Sequence, residues 1–118
     1  MNDISPQLQN QITQYQQIQQ QLQALSAQKA QMEAQMRELE RTSEELSLAK
    51  GDVFRNVGSL LIKVDDKEAL KSEIEESMEM MDVRVKGLER QEKSLLEKFD
   101  SLQKHIDSAF GRASAEEQ

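Results

Sequence analysis

Few residues in this 118-residue chain have side chains suited to catalysis, and their spacing does not bring them together. His105 is the one histidine, and there is no cysteine to act as a nucleophile, a thiolate ligand or half of a disulfide. Its neighbours Leu102 and Ile106 belong to an apolar helical stripe, so His105 reads as a solvated cation near a helix C-terminus. The acidic pairs Glu75-Glu76 and Glu116-Glu117 are adjacent residues on solvated stretches, not ligands converging on an ion. Gly51 and Gly58 lack the spacing of any phosphate-cradling loop. No catalytic, cofactor or metal site is expected, and the chain does not read as an enzyme.

Composition narrows the remaining classes. Hydrophobic residues make up 36% and aromatics only 3%, namely Tyr15, Phe54, Phe99 and Phe110. Aromatics bury the most area per residue, so a thick globular core is not expected. A net charge of −7 opposes binding to a phosphate backbone, which argues against nucleic acid as a partner. The longest run of strong hydrophobes, Leu60-Leu61-Ile62, is far below the ~20 residues of a membrane span. No secretory signal opens the chain. The expectation is a soluble, cytoplasmic protein with no membrane partner.

The elements that carry these residues show in the periodicity. Between Pro6 and about Lys50, steps of three and four give Tyr15, Ile18, Leu22, Leu25, Lys29, Met32, Met36, Leu39, Ser43 and Leu46. Eight of the ten are apolar, a 3.5-residue repeat that marks a coiled-coil seam. A second seam runs Ile74, Met78, Met81, Val85, Leu88, Glu92, Leu95, Phe99, Leu102, Ile106 and Ala109. Ser5-Pro6 supplies an N-cap and a proline at the first helical position. Lys50-Gly51 supplies a C-terminal cation and a C′ glycine. Asp65 with Glu68 makes an aspartate version of the capping box. Gly111 is expected to end the second helix, leaving 111–118 as a disordered tail.

Residues 6–50 and 66–110 are then two arms of 45 residues, each about 67 Å long at 1.5 Å per residue. Equal arms should fold back as an antiparallel coiled coil, with Leu8 near Phe110 and both chain ends at one tip. Lys29, Ser43 and Glu92 are polar at core-type positions. Lys29 should fall opposite about Gly87, with its ammonium reaching Glu89 or Glu92.

The connecting segment, 51–65, has another chemistry. Val53-Phe54-Arg55-Asn56-Val57-Gly58-Ser59-Leu60-Leu61-Ile62-Lys63-Val64 is β-branched and apolar with a period of two after Ser59. It predicts a β-hairpin turning near Val57 to Ser59. A two-stranded hairpin is marginal in water and has open edges. Nothing else in the chain can cover it, so it should pair with hairpins of other chains in a closed sheet or barrel. The expected fold is mainly α with a small β part: a long antiparallel two-helix coiled coil with a β-hairpin between the arms, in a single domain spanning 1–118.

Two further features bear on partners. From Ile4 to Gln28 there is no charge, and ten of the 17 residues from Gln7 to Gln23 are Gln. At the expected tip, Ile4, Leu8 and Ile12 meet Ile106 and Phe110, more apolar surface than a fraying two-stranded end can bury. Exposed apolar residues with a polar rim mark a contact site for other proteins.

With this layout the chain resembles the beta class of prefoldin subunits, over roughly residues 5–110. The resemblance is carried by Gln14-Tyr15-Gln16-Gln17-Ile18-Gln19-Gln20-Gln21-Leu22, by Glu44-Glu45-Leu46, by Arg90-Gln91-Glu92, and above all by the hairpin. One hairpin, where the alpha class has two, points to the beta class. The resemblance implies a hexamer of two alpha and four beta subunits on a double β-barrel platform. It also implies ATP-independent holding of unfolded client proteins at the coiled-coil tips and delivery to a group II chaperonin. Carried onto this chain, Phe54, Val57, Leu60, Ile62 and Val64 would build the barrel, and Ile4, Leu8, Ile12, Ile106 and Phe110 would hold clients. The rival reading is a structural coiled-coil adaptor or tether whose middle segment is a loop.

Overall fold

The computed structural model describes residues 4–116, with side chains from 4 to 111. In chain order it has α1 (Pro6–Leu48), β1 (Phe54–Val57), β2 (Leu60–Lys63) and α2 (Lys67–Glu116). Two long helices joined through one small antiparallel hairpin are the expected mainly α fold.

Helix α1 starts where the caps predict. Ser5 Oγ accepts the Leu8 N–H at 3.1 Å and the Ser5 carbonyl accepts the Gln9 N–H at 2.9 Å, with Pro6 at the first position. Its end differs from expectation. The helix stops at Leu48, closed by the Ala49 N–H donating to the Leu46 carbonyl, and Gly51 lacks the positive φ of a C′ glycine. The Gly51 carbonyl instead accepts a hydrogen bond from Lys67 Nζ. The N-cap of α2 is Asp66, not Asp65: its Oδ1 accepts the Ala69 N–H at 3.1 Å. The Val64 N–H is tied to the Val53 carbonyl at 2.8 Å, so Asp65 is spent turning the chain out of the sheet.

The far end of α2 corrects a third expectation. Gly111 does not stop the helix, which continues to Glu116, so the predicted tail is helical as far as that residue. A helical glycine costs only about 1 kcal/mol relative to alanine, and no proline follows to enforce a stop. Residues 117 and 118 of the expected tail lie outside the described residues.

The chain forms two compact units, Met1–Lys29 with Leu88–Gln118 (unit 1) and Ala30–Gly87 (unit 2). In unit 1 the Tyr15 ring stacks on Phe99 with centroids 4.3 Å apart, and Lys29 Nζ lies 3.4 Å from Glu92 Oε1. Position rises along α1 as it falls along α2, so the two helical segments run antiparallel. In unit 2 the best-covered side chains are Ile74 and Val85, 8% and 6% exposed. Every residue of both predicted seams is buried or half-buried, from Tyr15 to Leu46 and from Ile74 to Ala109. Two helices cover each other along one stripe only, which leaves most seam residues half-wet.

Candidate functional site

The hairpin is the more sharply defined of the two candidate sites. Its register pairs Phe54 with Lys63, Arg55 with Ile62, Asn56 with Leu61 and Val57 with Leu60. Gly58 and Ser59 form the two-residue turn, with φ +61° at Gly58 and no positive φ at any described non-glycine residue. That is the type II′ pattern, whose twist matches the flanking strands and whose first corner favours glycine.

Alternation along each strand then assigns the faces. Phe54, Asn56, Leu61 and Lys63 share one face; Arg55, Val57, Leu60 and Ile62 share the other. Phe54, Val57, Leu60, Leu61 and Ile62 are each between 45 and 71% exposed. Both faces of the sheet therefore carry large uncovered apolar side chains. The sequence-derived set does not share one face: Phe54 lies opposite Val57, Leu60 and Ile62. Val64 lies beyond β2 and is half-buried. Leu61, outside the sequence-derived set, is 71% exposed and belongs to the same uncovered group; the Leu60-Leu61-Ile62 run is its signal in the sequence. Two exposed ion pairs tether the hairpin within its own chain, Arg55 to Glu73 of α2 at 3.4 Å and Lys63 to Asp52 of the preceding loop at 3.8 Å. Exposed pairs of this kind contribute about 0–1 kcal/mol.

The second candidate comprises the residues expected at a tip, all of which fall in unit 1. Ile4 precedes α1 and is 38% exposed; Phe110, on α2, is 48% exposed. Leu8, Ile12 and Ile106 are half-buried. In heptad terms (Tyr15, Leu22, Phe99 and Ile106 at a) Leu8 and Ile106 lie on the seam. Ile12 and Phe110 occupy e positions on its flank, and Leu96, also at e, is 45% exposed.

The polar seam pair behaves as its spacing suggests. Lys29 reaches Glu92, and each side chain is 25% exposed. His105 Nδ1 lies 2.7 Å from the Ser101 carbonyl, one turn back on its own helix. Among the described residues no group of three or more His, Cys, Asp or Glu could hold a metal ion, and no helix is long and apolar enough to cross a membrane.

Two long helices joined through a single hairpin whose sheet is uncovered on both faces define a class of fold, and comparison with known proteins names it. The prefoldin subunit family matches residues 9–113. The prefoldin beta subunit of Methanosarcina acetivorans is 42% identical over 112 residues, covering 93% of this chain and 95% of the relative. That of Thermoplasma volcanium is 38% identical over 112 residues, covering 93% and 90%. The crystal structure of the prefoldin beta subunit from Thermococcus strain KS-1 superposes with a TM-score of 0.83 at 35% identity, covering 92% of this chain and 96% of that one. The chain belongs to the prefoldin family and, within it, to the beta class.

Proposed function

We propose that this chain is a subunit of an ATP-independent holding chaperone in the cytoplasm. Its hairpin joins those of neighbouring subunits in a β-barrel platform, in a hexamer of two alpha and four beta subunits. Its coiled-coil tips hold unfolded client proteins and pass them to a group II chaperonin. The observation that carries the reading is the uncovered apolar hairpin in a chain of the beta class. Apolar surface of this size in water is unfavourable by about 25 cal/mol per Å², and two strands are too few to be stable alone. Pairing edge to edge with other hairpins removes the second penalty, and closing the paired strands into a barrel turns one apolar face inward and reduces the first.

The tip residues Ile4, Leu8, Ile12, Ile106 and Phe110 provide small apolar contacts. Several tips around one cavity gain strength through shared attachment, so each contact can be weak and released without nucleotide hydrolysis. Deleting residues 1–12 and 106–118 tests the reading. The truncated subunit still assembles, by native mass spectrometry, and no longer suppresses aggregation of an unfolded client. Truncated complexes that protect clients as well as intact ones would overturn the tip assignment. A plain dimer without β signal in circular dichroism would favour a structural tether.

A further inference from the structure

Unit 1 carries two surface grooves on one flank of its helix pair, and they are the same groove repeated one heptad apart. The first is lined by Gln14, Gln17 and Ile18 of α1 and by Lys98, Ser101 and Leu102 of α2. Adding seven to the α1 numbers and subtracting seven from the α2 numbers gives Gln21, Ala24 and Leu25 with Gln91, Ser94 and Leu95, which line the second. Gln21 borders both. Each has a seam residue from either helix as its floor, a small Ser as one wall, and carboxamides at the rim.

The pitch and the charge of this surface select an occupant. One heptad rises about 10.5 Å along a helix. A helix lying along the groove presents like-placed side chains at that same seven-residue interval. An extended strand repeats its face every ~6.7 Å and falls out of step by the second groove. The surface is also neutral in a chain of net charge −7: α1 has no charge from Ile4 to Gln28, and Lys98 is the single charged residue among those lining the two grooves. An acidic or neutral helix meets no repulsion there, and Lys98 complements a carboxylate beside its apolar stripe.

We propose that this flank docks an amphipathic α-helix of a client, with apolar residues seven apart, as a transient third strand on the coil. The proposal rests on the client-holding reading and adds a substrate class to it: clients that retain helix. The groove positions are c, d and g, whereas Ile12, Leu96 and Phe110 are at e, so the two surfaces can be altered separately.

The test uses the full chain in its assembled complex and a fluorescein-labelled peptide of about three heptads, with Leu at a and d and Glu or Gln elsewhere. A second peptide of identical composition places Leu at alternate positions. Fluorescence anisotropy should show binding of the heptad peptide and little of the alternating one. Filling the groove with Ala24→Gln and Ser94→Gln should weaken the heptad peptide about tenfold. Gln23→Glu with Gln103→Glu, away from the groove, should leave it unchanged. Equal binding of the two peptides, no binding of either, or undiminished binding to the filled variant overturns the proposal. Aggregation assays on the tip-truncated complex report on client holding separately, so the two readings fail independently.

Discussion

The helical seams and the hairpin are both built from apolar residues at regular spacing, but within this chain their burial differs. Along the seams each apolar residue is at least half-covered, with Ile74 and Val85 nearly closed off. In the hairpin the alternation puts apolar side chains on both faces, and five of them are about half or more exposed. A period of 3.5 asks for one partner along one stripe, which the second arm supplies. A period of two on a two-stranded sheet asks for cover on two faces and two edges, which this chain cannot provide. The arms thus find apolar cover within the chain, and the hairpin leaves its apolar side chains in water.

Removing the hairpin should break this comparison most completely. A chain with 53–64 replaced by a short flexible loop keeps its helical circular dichroism and loses the large complex altogether, as read by light scattering; a persistent large complex would contradict the platform. Ile74→Ala removes one of the best-covered side chains and should lower unfolding free energy by about 2–3 kcal/mol in a urea titration. Leu61→Ala, at 71% exposure, leaves the isolated subunit unchanged and weakens only assembly. Equal effects of these two substitutions on subunit stability would erase the distinction drawn above. Gly58→Ala forces a side chain into φ +61° and should cost the hairpin about 1 kcal/mol, seen as a complex that dissociates at lower denaturant. The double change Lys29→Met with Glu92→Leu should be the mildest. It replaces a half-wet ion pair by apolar packing, so thermal stability stays within about 1 kcal/mol of the parent or rises slightly.

The same contrast explains which parts were legible in the sequence. Seam positions follow from counting along one helix, and an error at one residue does not propagate, so Tyr15 to Leu46 and Ile74 to Ala109 were found whole. Faces of a hairpin depend on its register, and one residue of uncertainty in the turn exchanges them. The sequence places the turn only near 57–59, and the observed Gly58-Ser59 turn fixes Phe54 and Leu61 on one face and Val57, Leu60 and Ile62 on the other. Asp65 and Asp66 are chemically equal caps, and only the Val64–Val53 hydrogen bond, a contact across the hairpin, decides between them. Gly111 gave a stop signal that the following Arg, Ala and Ser residues did not reinforce. Exposure is less legible than position: Ile12, Leu96 and Phe110 share the e position, yet Ile12 is half-buried while Leu96 and Phe110 are 45 and 48% exposed.

The ring stack of Tyr15 on Phe99 has a practical consequence. The chain has one tyrosine and no tryptophan, so its near-ultraviolet spectrum above the phenylalanine bands belongs to a single chromophore. That chromophore is fixed between the two strands of unit 1. Any event that slides or parts those helices there alters its optical signal, which makes the unlabelled protein its own gauge of whether the coil of unit 1 is closed.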